Sequence, residues 1–371
     1  MAALPPPVDP TLEAIDRALE AKSAAEKPRP YLGMSAIGNE CKRALWYSFR
    51  HCAKPAFNAL TLKRFADGHL QEDVQAERLR MVPGITLMTV DHETGRQFAY
   101  SDHGCHFRGH ADGMIQGLLQ APVTLHIWEH KSTDEKKQSK LELLKEELGE
   151  KNALKAWDAT YYAQAQLYMH YSGHHRHYLT CSSPGGRHTV SCRTNYIKDD
   201  AERQINKAAR VIFAERPPEK VSQDPSWYKC KWCDFSAICH EAAPIDRNCR
   251  TCAFVTPERA GGWSCTKHEV LTPCADHRFI PALVPGEQID AAEDGSWIEY
   301  RINGEIWIDG IKPVSLIGIT TERPCCPRCG CITMRIVEGK GPHVYGMRCT
   351  GCEHHCGWLS KADAAAIERA A

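Results

Sequence analysis

The sequence predicts an α/β protein with a mixed central β-sheet flanked by helices, followed by small cysteine-rich modules. Two observations indicate this fold class. Segments with apolar residues at helical spacing alternate with strand-like runs over most of the chain. After Trp227 the composition changes, because most cysteines lie there. The 371 residues favour about two to three domains, and 43% hydrophobic with 25% charged residues is typical of a globular chain.

The spacing of apolar residues assigns each element in order. Thr11 is a suitable N-cap for a helix over 11–25, which the prolines of KPRP end. Further helices are predicted over 35–49, 60–79, 159–171 and 202–215. Strands are predicted over 85–90, 96–101, 106–115, 123–132, 176–183 and 188–197. The charged segment 135–155 is predicted to be a solvated helix or a mobile loop, with a lid over a cleft as the less favoured alternative.

Changes in composition place domain boundaries near Pro244 and near residue 320. Between them, Asn303-Gly304 is centred in the alternating run 297–308 and predicts a β-hairpin. The predicted segments are a tail and helix over 1–30, a main α/β domain over 31–243, a four-cysteine module over 244–290, a hairpin connector over 291–320, a module with two cysteine pairs over 321–359 and a tail over 360–371.

Charge and cysteine content restrict the function classes. Lys plus Arg and Asp plus Glu are each 46, so the formal net charge is zero, which excludes coating of nucleic acid through bulk charge but allows a local basic groove. No apolar run approaches the roughly 18 residues of a membrane-spanning helix, and the N-terminus lacks a secretory pattern. We therefore expect a cytoplasmic protein without a membrane partner. In a reducing compartment, the 19 cysteines are expected to be metal ligands rather than disulfides.

Three charged residues lie late in two strands that should be neighbours. Asp112 lies in one, and Glu129 and Lys131 lie in the next on the same face. If the strands are antiparallel, the carboxylates come close together, and Mg²⁺ or Mn²⁺ would relieve their repulsion. Lys131 would then hold or activate the attacking water. An exposed Glu–Lys pair at a strand end is the alternative, which Glu129 and Lys131 taken alone favour.

Two predicted helices add polar pairs, since His69 and Glu72 share one face and Gln164 and Tyr168 are one turn apart. The ordered set resembles the PD-(D/E)XK nuclease superfamily, in particular its RecB-like and YqaJ-like exonucleases. That pattern is a helical G-x-x-x-E or histidine, a strand Asp, E-x-K on the next strand and Q-x-x-x-Y on a helix. The residues that match it are Gly68 to Glu72, Asp112, Glu129 with Lys131, and Gln164 with Tyr168, and Ala111 replaces the proline of the superfamily name.

The resemblance covers roughly residues 31–240 and implies a restriction-endonuclease-like core that hydrolyses DNA phosphodiesters with a metal. It implies that Asp112, Glu129 and the backbone carbonyl of His130 hold Mg²⁺ or Mn²⁺, and that Lys131 handles the nucleophile. The helical residues complete the site: either Glu72 or His69 as a further metal ligand, and Gln164 with Tyr168 contacting DNA or orienting the site.

A first cysteine group is Cys230-x2-Cys233-x5-Cys239, three thiols of a site that takes four. From the sequence alone, Cys41 is a buried helical thiol. One subset of the superfamily, including CRISPR-associated exonucleases and the nuclease domain of AddAB-type helicases, instead carries a [4Fe–4S] cluster on one early Cys and a C-terminal C-x2-C-x5-C. The resemblance implies this cluster on Cys41 and the three later thiols, with Zn²⁺ as the competitor for the same ligands.

Two further cysteine groups predict structural Zn²⁺. One short module, which cannot bury a core of its own, offers Cys249, Cys252, Cys265 and Cys274, with His268 and His277 as substitute ligands. The second resembles a zinc ribbon over 321–359, and its two C-x2-C pairs are Cys326 with Cys329 and Cys349 with Cys352. Such ribbons bind nucleic acid or protein, and a purely structural role is the alternative.

These features together predict a Mg²⁺- or Mn²⁺-dependent DNA exonuclease acting in recombination or repair, with a phage-encoded origin and a recombinase or single-strand-annealing partner among the expectations. The alternative is a non-catalytic nucleic-acid-binding protein that uses its zinc modules on a nuclease-like scaffold. The presence of both Glu129 and Lys131 argues against that alternative, because a scaffold has no need of them.

Overall fold

The computed structural model describes residues 9–312, 326–329, 334–338 and 345–359. The chain forms two compact units, Met1–Pro285 and Gly286–Ala371. The predicted mixed α/β class is confirmed for the described residues. Cys325, Cys331 and the predicted tail over 360–371 lie outside the described residues.

Nine α-helices lie in the described part of the first unit. They are α1 Pro10–Ala25, α2 Lys42–Phe49, α3 Ala59–Arg80, α4 Glu135–Leu148, α5 Glu150–Trp157, α6 Ala159–Ser172, α7 Lys198–Ile212, α8 Tyr228–Lys231 and α9 Ser236–Glu241. Its strands are β1 Leu32–Gly33, β2 Thr86–Met88, β3 Ala99–Asp102, β4 Phe107–His110, β5 Gly113–Gln116, β6 His126–Ser132, β7 Arg176–Ser182, β8 Thr189–Asn195, β9 Val255–Pro257 and β10 Trp263–Cys265. Among these helices, none is both long and apolar enough to cross a membrane.

The largest sheet has five strands in the order β2-β5-β6-β7-β8. Only β6 and β7 run parallel; the other neighbours are antiparallel. The strands expected to carry Asp112 and Glu129 as neighbours are therefore confirmed as an antiparallel pair in β5 and β6. Strand β6 is buried on both faces, because Ile127 packs in a cluster with residues of α6 and Trp128 packs in a second cluster with residues of α3. Charged residues of β6 thus lie in a strand covered by helices.

The strand predicted over 106–115 is wrong as a single element. Strand β4 belongs to a three-stranded sheet, β1-β4-β3, whereas β5 belongs to the five-stranded sheet. Between them, the Ala111 N–H donates to the Phe98 carbonyl, and the chain passes from one sheet to the other at Asp112. Gly109 allows the close approach of α6, since a Cβ there would lie 2.6 Å from the Tyr168 ring.

The helix predicted over 35–49 is also wrong in its first half. A short 3₁₀ turn spans Met34–Ala36, and α2 begins only after Cys41. Gly38 explains the interruption, because a Cβ at this position would lie 2.3 Å from the Thr160 backbone of α6. Cys41 caps α2, with its Sγ accepting a hydrogen bond from the Ala44 N–H at 3.4 Å.

The charged segment 135–155 is helical, as one alternative predicted, and each of its two helices buries apolar side chains. It forms α4 and α5, separated by Gly149 at φ +79°. Leu141 and Leu154 are fully buried. Gln138 of α4 donates hydrogen bonds to the backbone carbonyls of Cys181 and His188, which fixes α4 against the end of the sheet.

The first unit continues through the cysteine-rich segment that contains β9 and β10. Arg50, at the end of α2, is only 3% exposed and donates hydrogen bonds to the carbonyls of Arg250 and Val255 at 3.2 Å. The guanidinium carbons of Arg50 and Arg250 lie 5.2 and 4.6 Å from the Trp263 ring centroid. These buried contacts attach the cysteine-rich segment to α2.

The second unit contains two separate three-stranded antiparallel sheets among its described residues. Their strands are β11 Glu287–Ala291, β12 Trp297–Ile302, β13 Glu305–Gly310, β14 Met334–Glu338, β15 Tyr345–Cys349 and β16 His355–Leu359. The predicted hairpin is confirmed between β12 and β13, where Asn303 and Gly304 both have positive φ, at 51° and 86°. Strand β11, which pairs with β12, was not predicted.

Candidate active site

Asp112 and Glu129 are brought together by the pairing of β5 with β6. Gly113 is opposite Trp128, so Asp112 lies beside the next residues of β6. Asp112 Oδ2 accepts a hydrogen bond from the His130 N–H at 2.8 Å. Both carboxylates are buried, with 9% of Asp112 and 3% of Glu129 exposed.

Two side chains hold one oxygen of Glu129. Lys131 Nζ lies 2.5 Å from Glu129 Oε1, and Gln164 Nε2 of α6 donates to the same oxygen at 2.7 Å. Gln164 Nε2 also donates to the Tyr168 hydroxyl at 3.0 Å, one turn further along α6. The two predicted motifs, on β6 and α6, therefore form one hydrogen-bonded network.

The other Glu129 oxygen, Oε2, is buried and has no hydrogen-bond partner among the described residues. Leaving a buried carboxylate oxygen unpaired is costly unless a cation or a proton meets it. Burial raises the pKa of Glu129, and the neighbouring Asp112 raises it further, to about 8, although Lys131 acts in the opposite direction. Burial also raises the pKa of Asp112, which Lys131 and the His130 N–H partly offset.

Lys131 places a positive charge beside these carboxylates. Burial lowers the pKa of its ammonium, but Glu129 and Asp112 raise it by more, so the net direction is upward and Lys131 stays charged. Its Nζ also lies 5.4 Å from the ring centroid of Tyr161 on α6. Tyr161 was not predicted from the sequence. It lies one turn before Gln164, and no motif includes it.

Glu72 of α3 faces the same site. Burial raises the pKa of its carboxyl, and Asp112 raises it further, to about 7. His69, one turn earlier, is exposed, and its charge lowers the pKa of Asp112 by less than the charge of Lys131 does. Three carboxyls therefore share one ammonium. This excess of oxygen donors, together with the unpaired Glu129 Oε2, fits a divalent cation held by Asp112 and Glu129.

The His130 side chain points away from this site, to the other face of β6. Its Nδ1 lies 3.0 Å from Thr180 Oγ1 and its Nε2 lies 3.0 Å from Ser182 Oγ, both on β7. Burial lowers the pKa of His130 to about 4, so the imidazole is neutral. No sequence pattern indicates this anchor, because the resemblance assigns a role only to the His130 carbonyl.

The first cysteine group gathers around one cavity. Cys41 at the start of α2 lines it together with the thiols from the region of α8 and α9, which are Cys230, Cys233 and Cys239. Within the described residues, three or more metal-binding atoms lie within 4.8 Å of one another in two groups, and neither group contains these thiols. No three of the four sulfur atoms are therefore that close to one another. The arrangement is wider than a tetrahedral zinc site, in which sulfur atoms about 2.3 Å from the metal lie within about 4 Å of each other.

The second cysteine group lines a cavity of about 80 Å³, and its four thiols are Cys249, Cys252, Cys265 and Cys274. The closest donors in this segment are instead Cys274, His268 and Asp276, which gather within 4.8 Å. His268 Nε2 lies 2.8 Å from Asp276 Oδ2. The sequence indicates His268 as a substitute ligand, whereas no sequence pattern indicates Asp276.

The third cysteine group, in the second unit, is the most compact. Cys326 Sγ lies 3.5 Å from Cys352 Sγ, and Cys329 Sγ lies 3.5 Å from Cys349 Sγ. Burial raises the pKa of Cys326, but the N–H groups of Arg328 and Cys329 lower it by more, to about 6. The four sulfur atoms of Cys326, Cys329, Cys349 and Cys352 lie within 4.8 Å of one another, and such a Cys₄ set fits a metal such as Zn²⁺.

The sequence matches no protein-family model and no curated protein. Among solved structures, that of SSO0001 has a TM-score of 0.37 and 13% identity, covering 62% of this chain and 96% of that chain. An alkaline exonuclease, LHK-Exo from Laribacter hongkongensis, has a TM-score of 0.33 and 12% identity, covering 53% of this chain and 90% of that one. Its complex with dAMP has a TM-score of 0.34 at the same identity and coverage. Similarity at this level defines neither a family nor an activity.

Proposed function

We propose that this protein is a divalent-metal-dependent deoxyribonuclease, acting as an exonuclease in recombination or repair. The observation that carries the proposal is the buried pair Asp112 and Glu129, with Lys131 beside it and one Glu129 oxygen unpaired. Two buried carboxylates with one ammonium beside them are costly to desolvate, so a functional use for them is favoured over a purely structural one.

The chemistry assigned to these residues is hydrolysis of a phosphodiester. Asp112, Glu129 and the His130 carbonyl would hold Mg²⁺ or Mn²⁺, with Glu72 nearby. The metal, when bound, would neutralise charge on the scissile phosphate and lower the pKa of a bound water. Lys131 would orient the attacking water and offset the charge that develops on the phosphate oxygens. The water oxygen would bond to phosphorus and give up one proton as the P–O bond to the leaving nucleotide breaks. The leaving oxygen would take up one proton, so the step balances.

Gln164 and Tyr168 would act as positioning residues. Gln164 fixes the Glu129 carboxylate through its 2.7 Å hydrogen bond, and Tyr168 fixes the Gln164 amide. This leaves the second Glu129 oxygen free of protein donors in the described part of the chain, as a metal ligand requires.

The experiment is digestion of labelled DNA in Mg²⁺ by the wild type and by Glu129→Gln, which keeps the size of the side chain. Glu146→Gln, a change at an exposed carboxylate of α4, is the matched control. We expect digestion by the wild type and by the control, and none by Glu129→Gln. Equal digestion by all three proteins would remove the proposal.

We also propose a [4Fe–4S] cluster on Cys41, Cys230, Cys233 and Cys239, with Zn²⁺ as the competitor. The spread of these thiols around one cavity favours the larger group. Anaerobically purified protein should show visible absorbance and about four irons. Cys230→Ser should lose both, whereas the control Cys105→Ser, at an exposed turn, should keep both. A colourless protein that contains only zinc would contradict the cluster.

A further inference from the structure

A basic and aromatic surface adjoins the candidate active site. We call it the Tyr31 platform, and it consists of Arg29, Tyr31, Arg108 and His110. Tyr31 directly precedes β1, where Gly33 pairs with Arg108 of β4. The guanidinium carbons of Arg108 and Arg29 lie 5.1 and 5.5 Å from the Tyr31 ring centroid. The His110 ring centroid lies 6.5 Å from it.

Strand β4 places this platform outside the core and next to the carboxylates. Phe107 and Gly109 of β4 are buried, whereas Arg108 and His110 alternate with them and are half-buried. His110 is two residues from Asp112, so their Cα atoms lie no more than about 7 Å apart although the chain bends at Asp112. A ligand on the platform would therefore adjoin the candidate metal ligand Asp112.

Within the described residues, neither Arg29 nor Arg108 forms an ion pair, whereas Arg80 pairs with Glu77 and Arg193 pairs with Glu150. An aromatic ring with two guanidinium groups beside it, neither in an ion pair within the described residues, favours a ligand that is both flat and anionic, which describes a nucleotide.

We propose that the Tyr31 platform binds an unpaired nucleotide next to the scissile phosphate of a DNA single strand. The base stacks on the Tyr31 ring, and the Arg29 and Arg108 guanidinium groups contact the flanking phosphates. Stacking on a side chain requires a base released from its complement, so the substrate is single-stranded or an unwound end. This inference rests on the proposed nuclease function and names its substrate class.

Binding is measured in EDTA with Glu129→Gln as the parent, so that no hydrolysis occurs, using labelled oligo(dT) and a duplex of the same length. Tyr31→Ala should weaken oligo(dT) binding by about 5- to 150-fold, the effect of losing one stacked base. Tyr31→Phe keeps the ring and should bind like the parent. Arg108→Ala should weaken binding and reduce its salt dependence by about one ion.

Arg259→Ala is the matched arginine control, because Arg259 is exposed and its guanidinium also lies beside a ring, 4.6 Å from Phe213. It should bind oligo(dT) like the parent. Unchanged oligo(dT) binding by Tyr31→Ala would overturn the platform. An equal loss of duplex binding would also overturn it, since the site would then contact only the backbone.

A second measurement decides the matter if Tyr31→Ala does not fold. A 2-aminopurine base in the oligonucleotide should change its fluorescence when the parent or Tyr31→Phe binds, and fluorescence that stays constant would contradict stacking.

The nuclease function fails separately. A wild type that binds oligo(dT) through Tyr31 but digests no DNA in Mg²⁺ contradicts the function and keeps the platform. Digestion with normal binding by Tyr31→Ala contradicts the platform alone.

Discussion

The His130 backbone N–H donates a 2.8 Å hydrogen bond to Asp112 Oδ2. This bond ties the carboxylate that lies between two sheets to the strand that carries Glu129 and Lys131. The spacing of the two acidic residues is therefore set by backbone structure rather than by flexible side chains, which is how a preorganised metal site is built.

Asp112→Asn should abolish metal-dependent digestion. The amide keeps the size of the side chain but loses the charge that would bind the cation, and several kcal/mol of charge stabilisation corresponds to a rate loss on the order of 100-fold or more. Single-turnover digestion at saturating DNA measures this rate. Asp199→Asn, at an exposed position in the first turn of α7, is the control, and a normal rate for Asp112→Asn would contradict the assignment.

The metal-free protein should lose stability as the pH rises from about 4.5 to about 8. In this window the folded chain keeps the proton of Glu129, whose pKa is about 8, while the unfolded chain with its ordinary value of 4.5 has released it. Because the folded state binds more protons, stability falls with increasing pH, and Glu72 acts in the same direction. Thermal unfolding in EDTA across this range measures the effect.

Glu129→Gln is the comparison for that measurement, since the amide does not titrate. Its unfolding temperature should fall less steeply over the same pH range than that of the wild type. Mg²⁺ or Mn²⁺ should stabilise the wild type more at the alkaline end, where the carboxylates are charged. Identical slopes for the two proteins would show that Glu129 ionises normally.

Gln164→Ala and Gln166→Ala should have different effects although both glutamines are buried on α6. Gln164 donates to Glu129, so its loss should lower the digestion rate by about 10- to 150-fold, the value of a hydrogen bond to a charged group. Gln166 instead bonds the Asn195 carbonyl and the Ile197 N–H, and its loss should lower stability with a normal rate per folded molecule. Rate and urea unfolding of both variants test this, and equal rates would remove the positioning role.

Gly109→Ala should destabilise the fold by about 1–3 kcal/mol, because the new methyl group would overlap the Tyr168 ring and the Met34 side chain. It should also lower the digestion rate through the displaced Tyr168. Gly68→Ala is the control: nothing lies within 4 Å of its Cβ, and alanine in a helix interior should stabilise by about 0.5–1 kcal/mol. Urea unfolding measures both changes, and a stable Gly109→Ala protein would contradict the close packing.

Cys349→Ser should remove one zinc ion per chain. Cys349 is one of four gathered thiols, and a site with three thiolates binds Zn²⁺ more weakly. Cys356→Ser should keep the ion, because Cys356 lies outside that set and donates its S–H to the His354 carbonyl. Zinc analysis after dialysis compares the two variants, and equal zinc contents would contradict the ligand set.

Local patterns predicted the elements that are determined locally. The hairpin at Asn303-Gly304 and the pairing of β5 with β6 follow from turn residues and strand alternation. The break at Asp112 was missed although Asp112-Gly113 is a turn dipeptide, because the apolar residues on both sides of it continue a strand pattern. The interruption before α2 depends on Gly38 meeting Thr160, a contact between residues that are far apart in the chain.

The candidate site was predictable in its residue types and not in its detailed contacts. Asp112, Glu129 and Lys131 stand out because charges interrupt an apolar strand, and their roles remain predictions. The unpaired Glu129 oxygen and the anchoring of the His130 ring by Thr180 and Ser182 depend on neighbours from other strands and helices. No sequence pattern encodes such contacts.

The burial of Arg50 decides where this protein can be shortened. A chain that stops at residue 243 would remove the acceptors of that guanidinium at Arg250 and Val255 and would remove the Trp263 ring. It would also expose to water the buried Phe49 ring, which stacks on Trp263. Limited proteolysis of the intact protein should accordingly spare the junction around Pro244. Expression of a minimal fragment should extend to Pro285, where the first compact unit ends.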